Sequence, residues 1–476
     1  MNAQLQPQSP AAFRLLIGGR LVPGASATDV INPATEQPVA ACPRASLAQL
    51  NEAVAAAKAA FPAWSRTPLA DRSRLLLKLA DALGARSDEF AHLLTQEQGK
   101  PLGAAAYEIG GAIGITRVIA GMEVPLKVLK ETATDRIVQQ RTPLGVVAAI
   151  TPWNFPIILM MTKLAPALLT GNTVVVKPAP TTPLTTLRLG ELCAEIFPAG
   201  VVNVIADAND LGGALTSHPD VAKVAFTGST ATGKKVMASV AATVKRLTLE
   251  LGGNDAAIVL DDVDPKAIAP KIFHAAMVNS GQVCLAAKRV YVPDSLYDAL
   301  CAELAQLADA AVVGNGLDAG TQFGPLQNKA QFEKVQGFIA EARERGKVIA
   351  GGQPVAGPGY FIRPTIVRDI PDDTRLVREE QFGPVLPVLR YSNLDDAIAR
   401  ANSTEYGLGA TIWSSSSERA YEVALKIDSG TVWINKHLDL PPDVPMGGAK
   451  QSGFGIEMGQ DGLEEFTQAK IINMAR

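Results

Sequence analysis

Cysteine is scarce in this chain, with four thiols in 476 residues (Cys42, Cys193, Cys284 and Cys301) and no CxxC pair among them. So sparse a set supports neither a disulfide framework nor a thiolate metal cluster, and predicts free thiols in a reducing, cytoplasmic setting. Histidine is equally rare: His92, His218, His274 and His437 lie far apart, no HxxxH pair occurs, and no metal centre is expected. Neither charge sign dominates, since 44 Lys and Arg stand against 47 Asp and Glu. That balance argues against nucleic acid and membrane surfaces as partners. The first residues, MNAQLQPQSPAAFRLL, lack the basic stretch and apolar run of a secretory signal. The most apolar stretch, 150–169, contains Pro152, Asn154, Pro156, Lys163 and Pro166, which a lipid-facing helix tolerates poorly, so it reads as buried protein. The partners left are small molecules and further copies of the chain.

Apolar residues make up 47% of the sequence, enough for well-packed cores, and the length exceeds what one core usually organises. Residues 46–64 and 70–94 carry apolar side chains at helical spacing. The texture then changes to short Val- and Ile-rich runs at 145–150, 173–176, 201–205 and 222–226, with helical stretches such as 182–197 between them. Short, wholly apolar strands alternating with helices predict a parallel sheet covered on both faces. A second series of this kind follows Gly252-Gly253, at 256–260, 289–292, 348–350, 411–413 and 431–434. Two α/β units facing each other across a cleft are therefore expected. Residues 127–141 and 464–475 extend neither alternation and read as a hairpin and a strand serving subunit contacts.

The run 221–226 ends in TGSTATG, and a helix follows through 234–240. A strand, a Gly-rich turn and a helix start form an anion site, because backbone N–H groups and the positive end of the helix dipole meet there. The turn is GSTATG rather than GxGxxG, and a helix capped by Ser229 or Thr230 would look the same. Lys177 ends the strand at 173–176, where ligands of open α/β folds bind.

Three further segments place polar or reactive residues in apolar surroundings: TPWNFP at 151–156, LELGGN at 249–254 and GQVC at 281–284. Taken singly, Asn154 is a helix cap, Glu250 an ion-pair partner and Cys284 a small core residue. Together they supply a nucleophile, a carboxylate base and an amide donor for an oxyanion, which is an acyl-transfer apparatus. The ordered set TPWNFP, Lys177-Pro178, FTGST, LELGGN, GQVC and EEQFGPV resembles the aldehyde dehydrogenase superfamily, from about Ile31 to Phe466. The 34-residue step from Glu250 to Cys284 also fits that family.

The resemblance implies an α/β fold with a Rossmann-like NAD(P)-binding domain (residues 1–124 and 142–252), a catalytic domain (253–445) and a small β oligomerisation element (125–141 and 460–476) in a homodimer or homotetramer. It implies that Cys284 attacks the aldehyde and that Asn154 and the Cys284 N–H hold the oxyanion. Hydride then passes to the nicotinamide, and Glu250 is the base that hydrolyses the thioester, with Lys163 and Glu457 as a proton relay behind it. Lys177 is placed at the adenine-side ribose, Trp153 and Ser229 at the diphosphate, and Glu380 at the nicotinamide ribose. Gly228, Gly233, Leu251 and Phe382 complete the cofactor cleft. One departure bears on cofactor choice. NAD-selective members carry Glu three residues after the Lys, and here that residue is Pro180, so NAD is expected with NADP usable.

Members acting on succinic semialdehyde hold its carboxylate with two arginines, and the matching positions here are Thr162 and Val278. The implied tunnel (Phe155, Leu159, Thr162, Val278, Val283, Leu285 and Met446) suits a neutral aliphatic or aromatic aldehyde of medium size. His437 and Asp439 read as loop residues near its mouth. A semialdehyde dehydrogenase is the alternative substrate reading. The coenzyme A-acylating branch generally lacks the carboxylate that Glu250 supplies. A non-catalytic binding protein on the same fold would be signalled by loss of Cys284, Glu250 or Asn154, and all three are present.

Overall fold

The computed structural model describes residues 12–476. Its first sheet has eight strands, in the order Arg20–Val22, Leu15–Ile17, Val202–Val204, Thr173–Lys177, Val146–Ile150, Val221–Thr227, Arg246–Glu250 and Gly453–Phe454. The five from Val202–Val204 to Arg246–Glu250 run parallel, and antiparallel strands close both edges. Every residue of Thr173–Lys177 and of Val146–Ile150 is buried, which is why these strands are continuous apolar runs rather than alternating ones.

The second sheet runs Lys347–Ala350, Thr365–Arg368, Val385–Tyr391, Ala287–Pro293, Asp255–Val259, Gly409–Trp413 and Thr431–Ile434. Six of its strands are parallel and Lys347–Ala350 is an antiparallel edge. A third, antiparallel sheet joins Lys127–Glu131, Asp135–Pro143 and the C-terminal strand Thr467–Ala475. The hairpin and terminal strand expected at 127–141 and 464–475 thus pair with each other.

The apolar stretch at 150–169 forms the end of a core strand and the buried helix Pro156–Leu169, which starts on Pro156 in its first turn, where the missing N–H costs nothing. Leu102–Ala120 is the one described helix long and apolar enough to cross a membrane. It packs on Pro156–Leu169 and on Leu69–Ala85, and it carries the buried Glu108. Two expectations need correction. The periodic stretch at 70–94 is two helices, Leu69–Ala85 and Ser87–Gln98, because Arg86 at φ −118° and ψ 19° leaves helical geometry while the apolar spacing continues past it. The first sheet also recruits strands before residue 46 and at 453–454, two or three residues long, too short to carry a pattern.

The two main sheets meet edge to edge at the site. Lys177, Ile150, Thr227 and Glu250 end adjacent parallel strands, with Ile150 opposite Lys177 and Thr227 opposite Glu250. In the second sheet the matching residues precede strands: Cys284 lies just before Ala287–Pro293, and Glu380 and Phe382 before Val385–Tyr391. The carboxyl edge of one sheet therefore faces the amino edge of the other.

Glu97 helps to hold this junction through its main chain, and its buried carboxylate caps a helix beside it. Glu97 accepts hydrogen bonds from Leu184 N (2.7 Å), Thr185 N (3.0 Å) and Thr185 Oγ1 (2.5 Å), so it caps Leu184–Ile196 from outside the helix. Gln327, from the second unit, donates to the Glu97 and Thr181 carbonyls. Burial pushes the Glu97 carboxyl up to about 7, against 4.5 in the unfolded chain. Between those values the unfolded chain releases a proton that the folded protein keeps. Stability from this group is therefore full below about 4.5 and is lost as pH rises towards about 7. The gap in urea-unfolding stability between wild type and Glu97→Gln should change across that window and level off above it; a constant gap from pH 4 to 8 would exclude a retained proton.

Candidate active site

Cys284 is delivered by a strained turn. Asn279, Ser280 and Gly281 take φ of 52°, 54° and 72°, a left-handed run that costs non-glycine residues about 1–3 kcal/mol each. Hydrogen bonds hold it: Ser280 Oγ to Gly324 O (2.8 Å) and Gln282 Nε2 to Asn279 O (2.9 Å). Gly281 is required sterically too, since a Cβ there would lie 2.3 Å from Gly383 O in the EEQFGPV segment. Cys284 is half-buried, whereas Cys42, Cys193 and Cys301 are buried, so it is the accessible thiol of the described four. Desolvation pushes its thiol up to about 12; Lys288 opposes this, while Glu380, Asp255 and Glu250 add to it.

Asn154 is held from both ends. Its Nδ2 donates to Gln282 O (3.0 Å), which leaves the second amide proton free, and its main-chain carbonyl accepts from Asn279 Nδ2 (3.1 Å) and Lys100 Nζ (2.9 Å). Lys100 and Glu108 form a fully buried pair at 2.5 Å, and the ammonium lies 3.8 Å from the Phe155 ring centroid. The other Glu108 oxygen accepts from Ile157 N (2.9 Å) and Ile158 N (3.3 Å), capping the helix that follows.

Glu250 is 3% exposed, and neither carboxylate oxygen has a hydrogen-bond partner among the described residues. Burial first, then the neighbouring Glu457, raise its carboxyl well above the usual range, and Lys163 opposes them. Lys163 Nζ bonds Glu457 Oε1 and Thr227 Oγ1, both at 2.6 Å. Thr162 is turned the same way, with its hydroxyl 3.1 Å from Glu457 Oε2. A residue read as tunnel lining is thus engaged with the carboxylate behind the site.

An apolar cluster gathers around Cys284. Of the residues read as tunnel, it includes Phe155, Val278, Val283, Leu285 and Met446, and it adds Leu408, Trp433, Leu438, Leu440 and Met458. Leu159 is half-buried one turn beyond Phe155. The added residues sit far along the chain with no motif to mark them. His437 Nε2 is 2.5 Å from Leu285 O and its ring is 4.7 Å from that of Trp433, while burial lowers its pKa to about 4, so it is neutral. Asp439 pairs with Lys436 at 2.5 Å.

A cleft of about 180 Å³ opens on the other side of Cys284, lined by Pro152, Trp153, Asn154, Thr227, Gly228, Ser229, Leu251, Gly252, Gln331, Lys334, Glu380 and Phe382. Seven of the residues predicted for cofactor or catalysis converge there with the thiol: Trp153, Asn154, Gly228, Ser229, Leu251, Glu380 and Phe382. Gln331 and Lys334 were not foreseen; they lie at the start of an ordinary amphipathic helix, Lys329–Arg345. Trp153 meets Phe382 edge to face at 5.2 Å, closing the cleft across the two sheets. Ser229 caps the helix Thr230–Val240 through a bond from Thr232 N, and Gly233 leaves room for Leu251, which a Cβ would meet at 2.5 Å. Glu380 Oε1 accepts from Gly253 N (3.0 Å). Lys177 stands apart from this lining, buried against Asp207 at 2.7 Å, and the half-buried Pro180 follows in the next turn.

An accessible thiol, an amide with a free proton and an unpaired buried carboxylate between an apolar pocket and a glycine-floored cleft form an arrangement that can support thiol-dependent carbonyl chemistry. The chain belongs to the aldehyde dehydrogenase family, whose model matches residues 22–472. It is 40% identical over 471 residues to the mitochondrial aldehyde dehydrogenase of Leishmania tarentolae, covering 97% of this chain and 95% of that protein. Among solved structures it resembles an NAD+ complex of an aldehyde dehydrogenase from Bacillus cereus (36% identity, TM-score 0.96, all of both chains). It also resembles an NADP-dependent enzyme from E. coli (36% identity, TM-score 0.95, 98% of each chain). Both fit the α/β architecture expected from the sequence.

Proposed function

We propose that this enzyme oxidises a neutral, medium-sized aliphatic or aromatic aldehyde to its carboxylic acid with NAD, through a thioester on Cys284. The observation that carries the substrate class is the apolar cluster enclosing Cys284. Charged groups close to it are engaged elsewhere. Arg289 donates to the carbonyls of Asn254, Arg400 and Ala401, and Lys436 pairs with Asp439. A substrate carboxylate entering the cluster would lose hydration without gaining a cation, at a cost of several kcal/mol.

Cys284 attacks the carbonyl carbon. The second Asn154 amide proton and the Cys284 N–H hold the oxyanion, as fixed dipoles in a water-poor pocket stabilise developing charge strongly. Bound NAD supplies the two-electron acceptor that turns the thiohemiacetal into a thioester. Glu250 then takes a proton from the hydrolytic water; its raised carboxyl makes it a stronger base than a solvated glutamate once ionised. Lys163 and Glu457 stand behind Glu250 as the route for that proton. The residues present fit the cofactor: the start of Thr230–Val240 with Ser229 suits a diphosphate, Glu380 a ribose hydroxyl pair, and Lys177 the adenine-side ribose. The sheet formed by Lys127–Glu131, Asp135–Pro143 and Thr467–Ala475 is the element by which copies would associate.

Three measurements test this reading. A kcat/KM panel should rank hexanal and benzaldehyde above succinic semialdehyde; the reverse order would overturn the neutral-substrate assignment. Cys284→Ala should abolish turnover, while Glu250→Gln should keep a burst of NADH and lose steady turnover by a factor on the order of 10² or more. A Glu250→Gln protein with full steady turnover would remove the general-base role. Finally, Pro180→Glu should impair NADP much more than NAD, because it sets a carboxylate beside a 2′-phosphate; equal effects would place residue 180 away from the ribose.

A further inference from the structure

Lys288, four residues after the nucleophile, has a role that the reaction outlined above leaves unused. Its side chain is 2% exposed, and its ammonium donates to Val283 O at 2.7 Å and to Cys284 O at 2.6 Å. It also lies 3.6 Å from Glu380 Oε1, whose carboxylate anchors Gly253 N. One buried cation thus joins the nucleophile loop, the Gly-Gly junction and the carboxylate on the cofactor side of the cleft.

The trans peptide between Val283 and Cys284 is planar, and its C=O and N–H point in opposite directions across the C–N bond. Fixing Val283 O on the buried ammonium directs the Cys284 N–H away from Lys288. Among the described residues that N–H meets no acceptor, which keeps it available as a donor. A cation on the carbonyl end also polarises the amide and strengthens the donor at its other end.

We propose that Lys288 is the positioning residue of the nucleophile, orienting and polarising the Val283–Cys284 peptide and tying that loop to Glu380. This rests on Cys284 being the nucleophile. The groups acting on the thiol are Lys288 on the positive side and Glu380, Asp255 and Glu250 on the negative side. Asp255, His437 and Lys334 sense the same ammonium. Lys288 is the positive group that lowers the thiol against these acidic neighbours, so removing its charge should disfavour the thiolate as well as weaken the oxyanion donor.

The test uses the intact enzyme and three variants: Lys288→Met removes charge and donor, Lys288→Gln keeps a donor without charge, and Lys288→Arg keeps both. Alkylation of Cys284 by iodoacetamide without cofactor, followed by peptide mass spectrometry from pH 7 to 10, reads the thiolate directly. At each pH the Met and Gln variants should react about 10-fold more slowly than wild type, and Arg within about 2-fold. The NADH burst rate should fall on the order of 10²-fold in the Met variant, less in Gln and least in Arg, the size expected for weakening one oxyanion donor. Met or Gln protein that melts like wild type and keeps its alkylation and burst rates would overturn the proposal. So would failure of both neutral variants to fold, which would make Lys288 a structural tie. Retained turnover in Cys284→Ala would instead overturn the nucleophile assignment, a different failure.

Discussion

The close approach of two sheet edges at Gly252-Gly253 is the constraint on which the site depends. A Cβ on Gly252 would lie 2.5 Å from Glu380 Oε2, and one on Gly253 would lie 2.5 Å from Cys284 O. No side chain fits at either position while Cys284 and Glu380 keep their places. The two glycines also lie in the link between Arg246–Glu250, the last parallel strand of the first sheet, and Asp255–Val259, an inner strand of the second. Chain direction then sets the roles. Residues after strands come from the first sheet and residues before strands from the second, so each partner of Cys284 arrives from a different segment with its backbone already anchored.

That geometry concentrates charge in a dry place. Glu250, Asp255 and Glu457 are each at most 3% exposed, and Lys163 and Lys288 are buried with them. The cations are shared out unevenly. Lys163 goes to Glu457 and leaves Glu250 without a bond, while Lys288 goes to backbone carbonyls as well as Glu380. Burial favours the protonated form of a carboxylate, which is why both are shifted upward, Glu250 with neither oxygen bonded and Asp255 even though its Oδ1 accepts from Gly409 N at 3.1 Å. Holding such carboxylates in a dry place costs stability, the usual opposition between stability and activity at such sites.

The sequence carried much of this because its chemistry sits in short contiguous motifs. TPWNFP, LELGGN, GQVC and EEQFGPV each contain a strand or helix boundary with its functional side chain, so strand-like runs and motif order together foretold a cleft between two α/β units. What escaped notice lacks such locality. Lys100 and Glu108 are eight residues apart in no recognisable motif, and their pair meets Asn154 O and Ile157 N where Leu102–Ala120 packs on Pro156–Leu169. Leu408, Trp433, Leu438, Leu440 and Met458 enclose Cys284 from three loops and a strand, where any apolar residue looks like ordinary core. Thr162 shows what position alone leaves open: its place in the motif pointed to the substrate pocket, and its hydroxyl reaches Glu457. Spacing identifies which helix a residue is on, but a hydrogen bond decides which way it turns.

The helix Pro156–Leu169 shows how far one element can organise the chemistry. Its first turn follows directly on Asn154 and Phe155, and its middle carries Thr162 and Lys163, the two partners of Glu457. A displacement of this helix along its axis would move the Asn154 amide, the pocket wall and the carboxylate behind Glu250 together. Two devices oppose that. The Glu108 carboxylate binds the amides of Ile157 and Ile158 at one end, and the Phe466 carbonyl accepts from Asn172 Nδ2 at 2.8 Å just past the other. Phe466 directly precedes the C-terminal strand Thr467–Ala475, so the strand that pairs with Asp135–Pro143 is tied to the same helix. A perturbation of that peripheral sheet therefore has a covalent and hydrogen-bonded path to Asn154, with no need for the core strands between them to move.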